Sequence, residues 1–313
     1  MKNAVELRIQ QLLDEFRKRF QDGLDEAQGR QVELLIHQFY RHLPAAELNE
    51  YDSADLIGAV IAHWQLFRDR VKGAVAVRVY NPNIEEHGWQ STHTVIEIVT
   101  EDMAFLVDSI SMMLNRAGFT IFLTIHPVVY CLRDDKGKLR ELSGSASKES
   151  TAASLIKFYI EKQPSDKVLG AVRGQVMEII RDVTRANEDW KPMKSRVKSV
   201  WEELRERQPD GNSDEAAENL AFLEWIENDH FTFLAYCELD YTPEGPRVTP
   251  DTSLGLLRGD DEKWRALEQI IPLSKGPCPD NRCSLVTTKA SRKSTIHRPA
   301  YMDYILSLIH ISE

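Results

Sequence analysis

The stretch THTVIEIVTEDMAFLVDSISMMLNRAGFTIFLTIHPVVYCL, residues 92–132, changes its hydrophobic period twice. Thr92 to Thr100 is β-branched and bounded by polar residues, the signature of a strand. Beyond Asp102, a natural N-cap, Leu106, Ile110, Met113, Leu114 and Ala117 recur at helical spacing as far as Gly118. Glycine there suits the left-handed residue that closes a helix. Phe119 to Leu132 is apolar and β-rich again, so this stretch predicts strand, helix, strand.

Working outward, Val75, Val77 and Val79 alternate with Ala76 and Arg78, which predicts a strand upstream. Downstream, Asp134-Asp135-Lys136-Gly137 has turn chemistry, and Leu139 to Leu142 can pair back as a hairpin. Leu155 to Ile160 reads as a further strand, followed by a helical stripe on Val168, Val172, Val176, Ile179, Ile180 and Val183. The order from Val75 to Val183 predicts an α+β sandwich with helices on one sheet face.

Before it lie three helical stripes that need a surface to bury against. Val5 to Phe20 is stopped between Gly23 and Gly29, Val32 to Leu43 is ended by Pro44, and Leu56 to Val71 is opened by Asp52 or Ser53. After it come a helix from Trp190 to Leu204, a polar boundary from Gln208 to Asp214, and a helix from Ala216 to Asn228. A strand carrying Phe231 and Phe233, a helix around Trp264 to Ile271 and a strand from Ser284 to Lys289 follow. The expected organisation is α+β throughout: a helical segment at 1–72, the sandwich at 73–185, a linker helix at 186–207 and a second α+β segment at 208–305.

Composition excludes several function classes. The 313 residues are 42% hydrophobic and 28% charged, as in a folded globular chain. With 39 Lys and Arg against 49 Asp and Glu, the net charge of -10 opposes the phosphate attraction of nucleic-acid binders. Apolar runs fall short of the roughly 18 residues that cross a bilayer, so no membrane partner is expected. Met1 to Arg8 alternates charged and apolar residues where a secretory leader would be continuously apolar. The expected location is the cytoplasm, with Cys131, Cys237, Cys278 and Cys283 as free thiols.

Catalytic patterns are missing: the sequence has no dinucleotide or P-loop glycine motif, no zinc-protease pair and no nucleophile elbow. Gly170 and Gly174 fall within a helical stripe and fit close helix packing better than phosphate binding. Cys278 and Cys283 with His297 make a weak metal pattern, and a loop with two free thiols fits better. His37 and His42 are off the spacing for two ligands on one helical face. Asp134 and Asp135 fit a hairpin turn rather than a metal loop. Trp225, Phe231, Phe233 and Tyr236 read as core. One place carries a sharper expectation, the turn Glu101-Asp102-Met103-Ala104 between strand and helix. Free backbone N–H groups at a helix start can hold a ligand carboxylate, unless Asp102 already caps them itself. Glu101 and Asp102 oppose a simple anion, so the expected ligand is a zwitterionic amino acid.

Several blocks resemble the N-terminal part of the large bacterial NAD-specific glutamate dehydrogenases. They are His42 to Pro44, Arg78 to Pro82, Glu101 to Ser109, His126 to Val128, Asn228 to Leu234 and Ser294 to Ile305, in collinear order. The resemblance implies an ACT-like regulatory region, with the dinucleotide-binding dehydrogenase domain far downstream in a longer parent chain. It implies that the parent uses NAD to oxidise L-glutamate to 2-oxoglutarate and ammonium. The present residues then bind no cofactor, hold no catalytic or metal residue, and contact the remainder of the parent, an amino-acid effector and other copies in a homo-oligomer. A self-contained amino-acid-sensing or interaction module without an attached enzyme is the alternative. Ala104 stands where the family pattern usually has proline, and residues 306–313 depart from the family's continuation and are expected to be a non-native tail.

Overall fold

The computed structural model describes residues 2–19, 23–71, 73–135, 137–207, 214–242, 245–259 and 285–307. The chain divides into two units, Met1–Met103 with Ile110–Glu178, and Ala104–Ser109 with Ile179–Glu313.

The first unit opens with α1 (Lys2–Arg19), α2 (Glu26–Tyr40), the single turn α3 (Ala45–Leu48) and α4 (Ser53–Asp69). Local chemistry sets these starts. Asp25 caps α2 in a reciprocal box with Gln28, and Asp52 caps α4 by accepting from the Ala54 N–H at 2.7 Å. Gly29 does not stop the first helix; it lies buried inside α2, because the Asp25 cap starts that helix earlier.

The sheet follows: β1 (Ala76–Tyr80), the turn α5 (Ile84–His87), β2 (Thr94–Glu101), α6 (Leu106–Arg116), β3 (Ile121–Ile125), β4 (Val128–Arg133), β5 (Leu139–Ser143) and β6 (Thr151–Ile160), then α7 (Asp166–Glu188). Spatial order is β1-β2-β6-β4-β5, with β3 also on β6, and all pairings are antiparallel. The apolar run expected from Phe119 to Leu132 divides at His126-Pro127, where Pro127 has no N–H for the ladder. Its two halves pair with opposite ends of β6. Asp134 closes the β4–β5 turn through the N–H groups of Gly137 and Lys138. Gly118, at φ 84°, ends α6, and the Phe119 N–H returns to the Leu114 carbonyl at 3.0 Å.

Alternation along β2 and β6 assigns two faces. Val95, Val99, Ala153, Leu155 and Tyr159 join the core formed by Ile9, Leu12 and Phe16 of α1, Val32, Leu35, Ile36 and Phe39 of α2, and Ile57, Val60, Trp64 and Phe67 of α4. The opposite residues Ile96, Ile98, Ile156, Phe158 and Ile160 are equally buried, so both strands read as continuous apolar runs rather than alternating ones. Helices and sheet thus share one core across residue 72, where the sequence reading drew a boundary. Gly170 and Gly174 are exposed on α7, and a Cβ at either meets nothing within 4 Å; close packing is not their role.

In the second unit, Leu204 of α8 (Trp190–Arg207), with Leu223 of α9 (Asp214–Trp225) and Ile226, centres a small core. Helix α9 runs into a π turn, Ile226–His230, rather than continuing to Asn228. Phe231 and Phe233 precede the nearest strand and pack against the core instead of alternating within one. The strands form three small ladders: β7 (Ala235–Tyr236) with β10 (Leu254–Gly255), β8 (Leu239–Thr242) with β9 (Gly245–Val248), and β11 (Leu285–Lys293) with β12 (Tyr301–Ser307). Leu306 and Ser307 extend β12 opposite Val286 and Leu285, although sequence reasoning set them aside. The expected helix at Trp264 to Ile271, the thiols Cys278 and Cys283 and residues 308–313 lie outside the described residues. Trp225, expected in the core, is 46% exposed and stacked between Phe222 and His230.

Candidate functional site

The strand-to-helix turn begins where β2 leaves the sheet. The Asp102 N–H still extends the ladder, donating to the Ala152 carbonyl at 3.1 Å. The Asp102 carboxylate faces β6, accepting the Ser154 hydroxyl proton at 2.6 Å, and the Ser154 oxygen in turn lies 2.9 Å from His126 Nε2. With its proton committed to Asp102, Ser154 accepts from the ring, which fixes Nε2–H as the imidazole's donor. Burial disfavours the charged form of His126 and lowers its pKa, with Asp102 opposing. Ser154 is fully buried, whereas Glu101 and Asp102 are exposed.

Helix α6 begins at Leu106, four residues beyond Asp102 in the chain. Asp102 is therefore an anchor to Ser154 rather than the helix cap that its residue type suggested, because a buried hydroxyl on the neighbouring strand lies within reach. Met103 follows it, and the Ala104 carbonyl accepts from Asn187 Nδ2 at 3.2 Å. The hydrogen-bonded chain is His126 to Ser154 to Asp102, with the hydroxyl in the middle. Here the serine accepts from the histidine and donates to the carboxylate, whereas in a hydrolytic triad the histidine accepts from the serine, so the order of the three groups differs.

A second polar group sits on the same strand, inside the core. Glu97 of β2 faces Lys157 of β6 in the ladder, and both are fully buried, with Lys157 Nζ 3.0 Å from Glu97 Oε1. Arg78 of β1 donates to Glu97 Oε2 through Nε at 2.9 Å and Nη2 at 2.5 Å, and the Tyr80 hydroxyl donates to Oε1 at 3.1 Å. These cations also reach α4: Lys157 Nζ donates to the Ala59 carbonyl at 2.6 Å and Arg78 Nη2 to the Ala62 carbonyl at 2.9 Å. The Lys157 ammonium lies 5.1 Å from the Trp89 ring centre and 5.7 Å from that of Phe39, a favourable setting for a dehydrated cation.

Burial pushes the Glu97 carboxyl up, but Lys157, His63 and Arg78 outweigh it and hold the group well below the usual carboxylate range. Burial holds His63 neutral, with its pKa lowered to about 3. Its Nε2 donates to the Ile98 carbonyl at 3.2 Å, and Nδ1 is buried without a hydrogen-bond partner. The cluster is closed to solvent at Glu97 and Lys157, so it holds structure rather than a substrate.

Sequence reasoning missed this group, although its signal was present. A single charge interrupts each of three apolar strands, VIEIV, LIKFY and AVRVY, at positions that face one another once the strands are registered. His37 is 3.7 Å from Glu6 on the helix surface, and Cys131 and Cys237 are free thiols. Among the described residues, no three His, Cys, Asp or Glu side chains are grouped to hold a metal.

Residues 35–176 match the family described as glutamate dehydrogenase, ACT1 domain. The NAD-specific glutamate dehydrogenase of Halomonas elongata is 33% identical over 306 residues, covering 94% of this chain and 19% of the relative. That of Pseudomonas aeruginosa is 32% identical over 286 residues, covering 88% and 17%. The chain thus spans under a fifth of the length of these relatives.

Proposed function

We propose that this chain, whose residues 35–176 match the glutamate dehydrogenase ACT1 domain family, is the regulatory and assembly region of an NAD-dependent glutamate dehydrogenase. The parent reaction is oxidation of L-glutamate, with NAD and water, to 2-oxoglutarate, ammonium and NADH. The cofactor and the chemistry belong to the remainder of the parent chain, which is also this region's partner, together with further copies in a homo-oligomer.

The observation that carries the regulatory reading is the anchored turn. Asp102 is held by a buried serine and yet exposed, with Glu101 beside it, at the exit of a fully buried strand. The anchored Asp102 carboxylate and the exposed Glu101 carboxylate beside it suit the ammonium of a free amino acid. Because Ser154 fixes Asp102, the site is preorganised and little ordering cost attends binding.

Calorimetric titration with a panel of amino acids tests this. At least one should give a saturable isotherm, weakened by Asp102→Asn and by Ser154→Ala while circular dichroism shows the fold intact. A panel without binding at millimolar concentration refutes the effector site and leaves the turn a purely structural connection.

A further inference from the structure

Four non-glycine residues among those described have positive φ: Phe105 at 71°, His297 at 68°, Asp229 at 62° and Asp251 at 60°. Aspartate accepts the left-handed region through its short polar side chain, and histidine visits it, but for phenylalanine it is a genuine outlier. Two of the four touch. The ring centres of Phe105 and His297 lie 4.7 Å apart, although the two residues are far apart in sequence.

One buried hydroxyl joins their backbones. Ser109 donates to the Phe105 carbonyl through both its N–H at 3.1 Å and its Oγ at 2.6 Å, and the same Oγ accepts from the His297 N–H at 3.1 Å. On the Phe105 side, Asn187 binds the Ala104 carbonyl at 3.2 Å and thereby fixes the preceding peptide. On the other side, the Arg298 N–H returns to the Ile296 carbonyl at 2.9 Å, a three-residue turn with His297 at its apex. A turn of this kind with positive φ at its centre is rare and strained. Ser294 closes its base, donating through Oγ to the Ile296 carbonyl at 2.8 Å and through N–H to the Ala300 carbonyl at 2.8 Å. Strained backbone persists only where its surroundings over-determine it, and here each strained residue is part of the other's surroundings.

We infer that the segments 104–109 and 294–300 form a latch: each holds the other in its strained conformation through Ser109, and they open as one cooperative step. Phe105 is the residue after the Glu101–Ala104 turn, and Tyr301, which begins β12, follows Ala300. Opening would therefore release the chain following the effector turn and the chain entering the last strand together. The regulatory meaning of the latch rests on the effector reading above, but its existence does not.

Amide hydrogen exchange on the whole 313-residue chain tests the latch without any ligand, so its failure is distinct from failure of the calorimetric experiment. In the unsubstituted protein, the amides of Ser109 and His297 should have protection factors within about threefold of each other, as expected of one cooperative opening. Ser109→Ala should accelerate exchange at His297 at least tenfold and leave Val95 to Val99 unchanged. His297→Gly keeps the donor N–H and removes the strain at φ 68°, so its amide at position 297 should stay slow. An unprotected His297 amide in the unsubstituted chain, or Ser109→Ala exchange within twofold of it, overturns the latch.

Discussion

Replacing Lys157 by methionine tests the largest electrostatic commitment in the sheet. The substitution preserves most of the side-chain volume but removes the cation 3.0 Å from Glu97, the bond to the Ala59 carbonyl and the contacts with the Trp89 and Phe39 rings. Glu97 keeps Arg78 and Tyr80, so it is not left bare, yet it loses one of two compensating cations at a fully buried site. Breaking a buried pair from one side costs about 3–5 kcal/mol, and the surviving Arg78 contact puts this case toward about 3. Through RT, about 3 kcal/mol corresponds to roughly a hundredfold faster exchange of the β2 and β6 amides that open globally. The double variant Glu97→Gln/Lys157→Met removes both charges and keeps one carbonyl acceptor for Arg78, while the Tyr80 hydroxyl can turn to accept from the amide NH2, so it should recover part of the loss. The pH dependence has a definite sign. The folded pKa of Glu97 is depressed, so its contribution is present above the unfolded carboxyl value of about 4.3 and fades as pH falls toward the folded one. Lys157→Met raises that folded pKa and should flatten the acid limb between about pH 5 and 2. A single variant costing under about 1 kcal/mol, or a double variant less stable than the single, would refute the reasoning.

Two further outcomes follow from the sequence and the packing. The chain by itself should form no NADH from L-glutamate and NAD, because its sequence has no dinucleotide fingerprint to bind and orient the nicotinamide; a spectrophotometric assay that shows glutamate-dependent turnover free of contaminating enzyme would contradict this. Gly58→Ala places a Cβ 2.5 Å from the Cβ of the buried Trp89 and should cost about 1–3 kcal/mol, read as a lower urea midpoint in circular dichroism.

What was legible in the sequence followed from local chemistry. The strands of the sandwich, the Asp134 turn, the Gly118 helix end and the Asp52 cap each depend on residues within a few positions of one another. The errors have more than one cause, and a partner distant in sequence is the first of them. Asp102 looked like a cap because the serine that claims it lies 52 residues away. Phe231 and Phe233 looked like one face of a strand because alternation cannot distinguish a strand from a connection packed on a core. Gly29 looked like a stop because the Asp25 box that overrides it was not recognised. At the candidate site the turn was legible as a junction of strand and helix, but its anchoring by Ser154 and His126 was not, since neither residue is near it in sequence.

The missed cluster bears on where this domain begins. A division at residue 72 treats the first helices as an appendage that needs a surface, which their apolar stripes alone would justify. The polar bonds argue otherwise. Hydrophobic contact is nondirectional and would let α4 slide, whereas Lys157 and Arg78 each bind one particular carbonyl of that helix and His63 binds one particular carbonyl of β2. Removing α4 would leave Glu97, Lys157 and Arg78 on a newly exposed sheet face and would uncover Val95, Val99, Leu155 and Tyr159 together. The direction of these bonds therefore fixes the register between helix and sheet, and the family match that begins at residue 35, inside α2, is consistent with helices that belong to the domain rather than precede it.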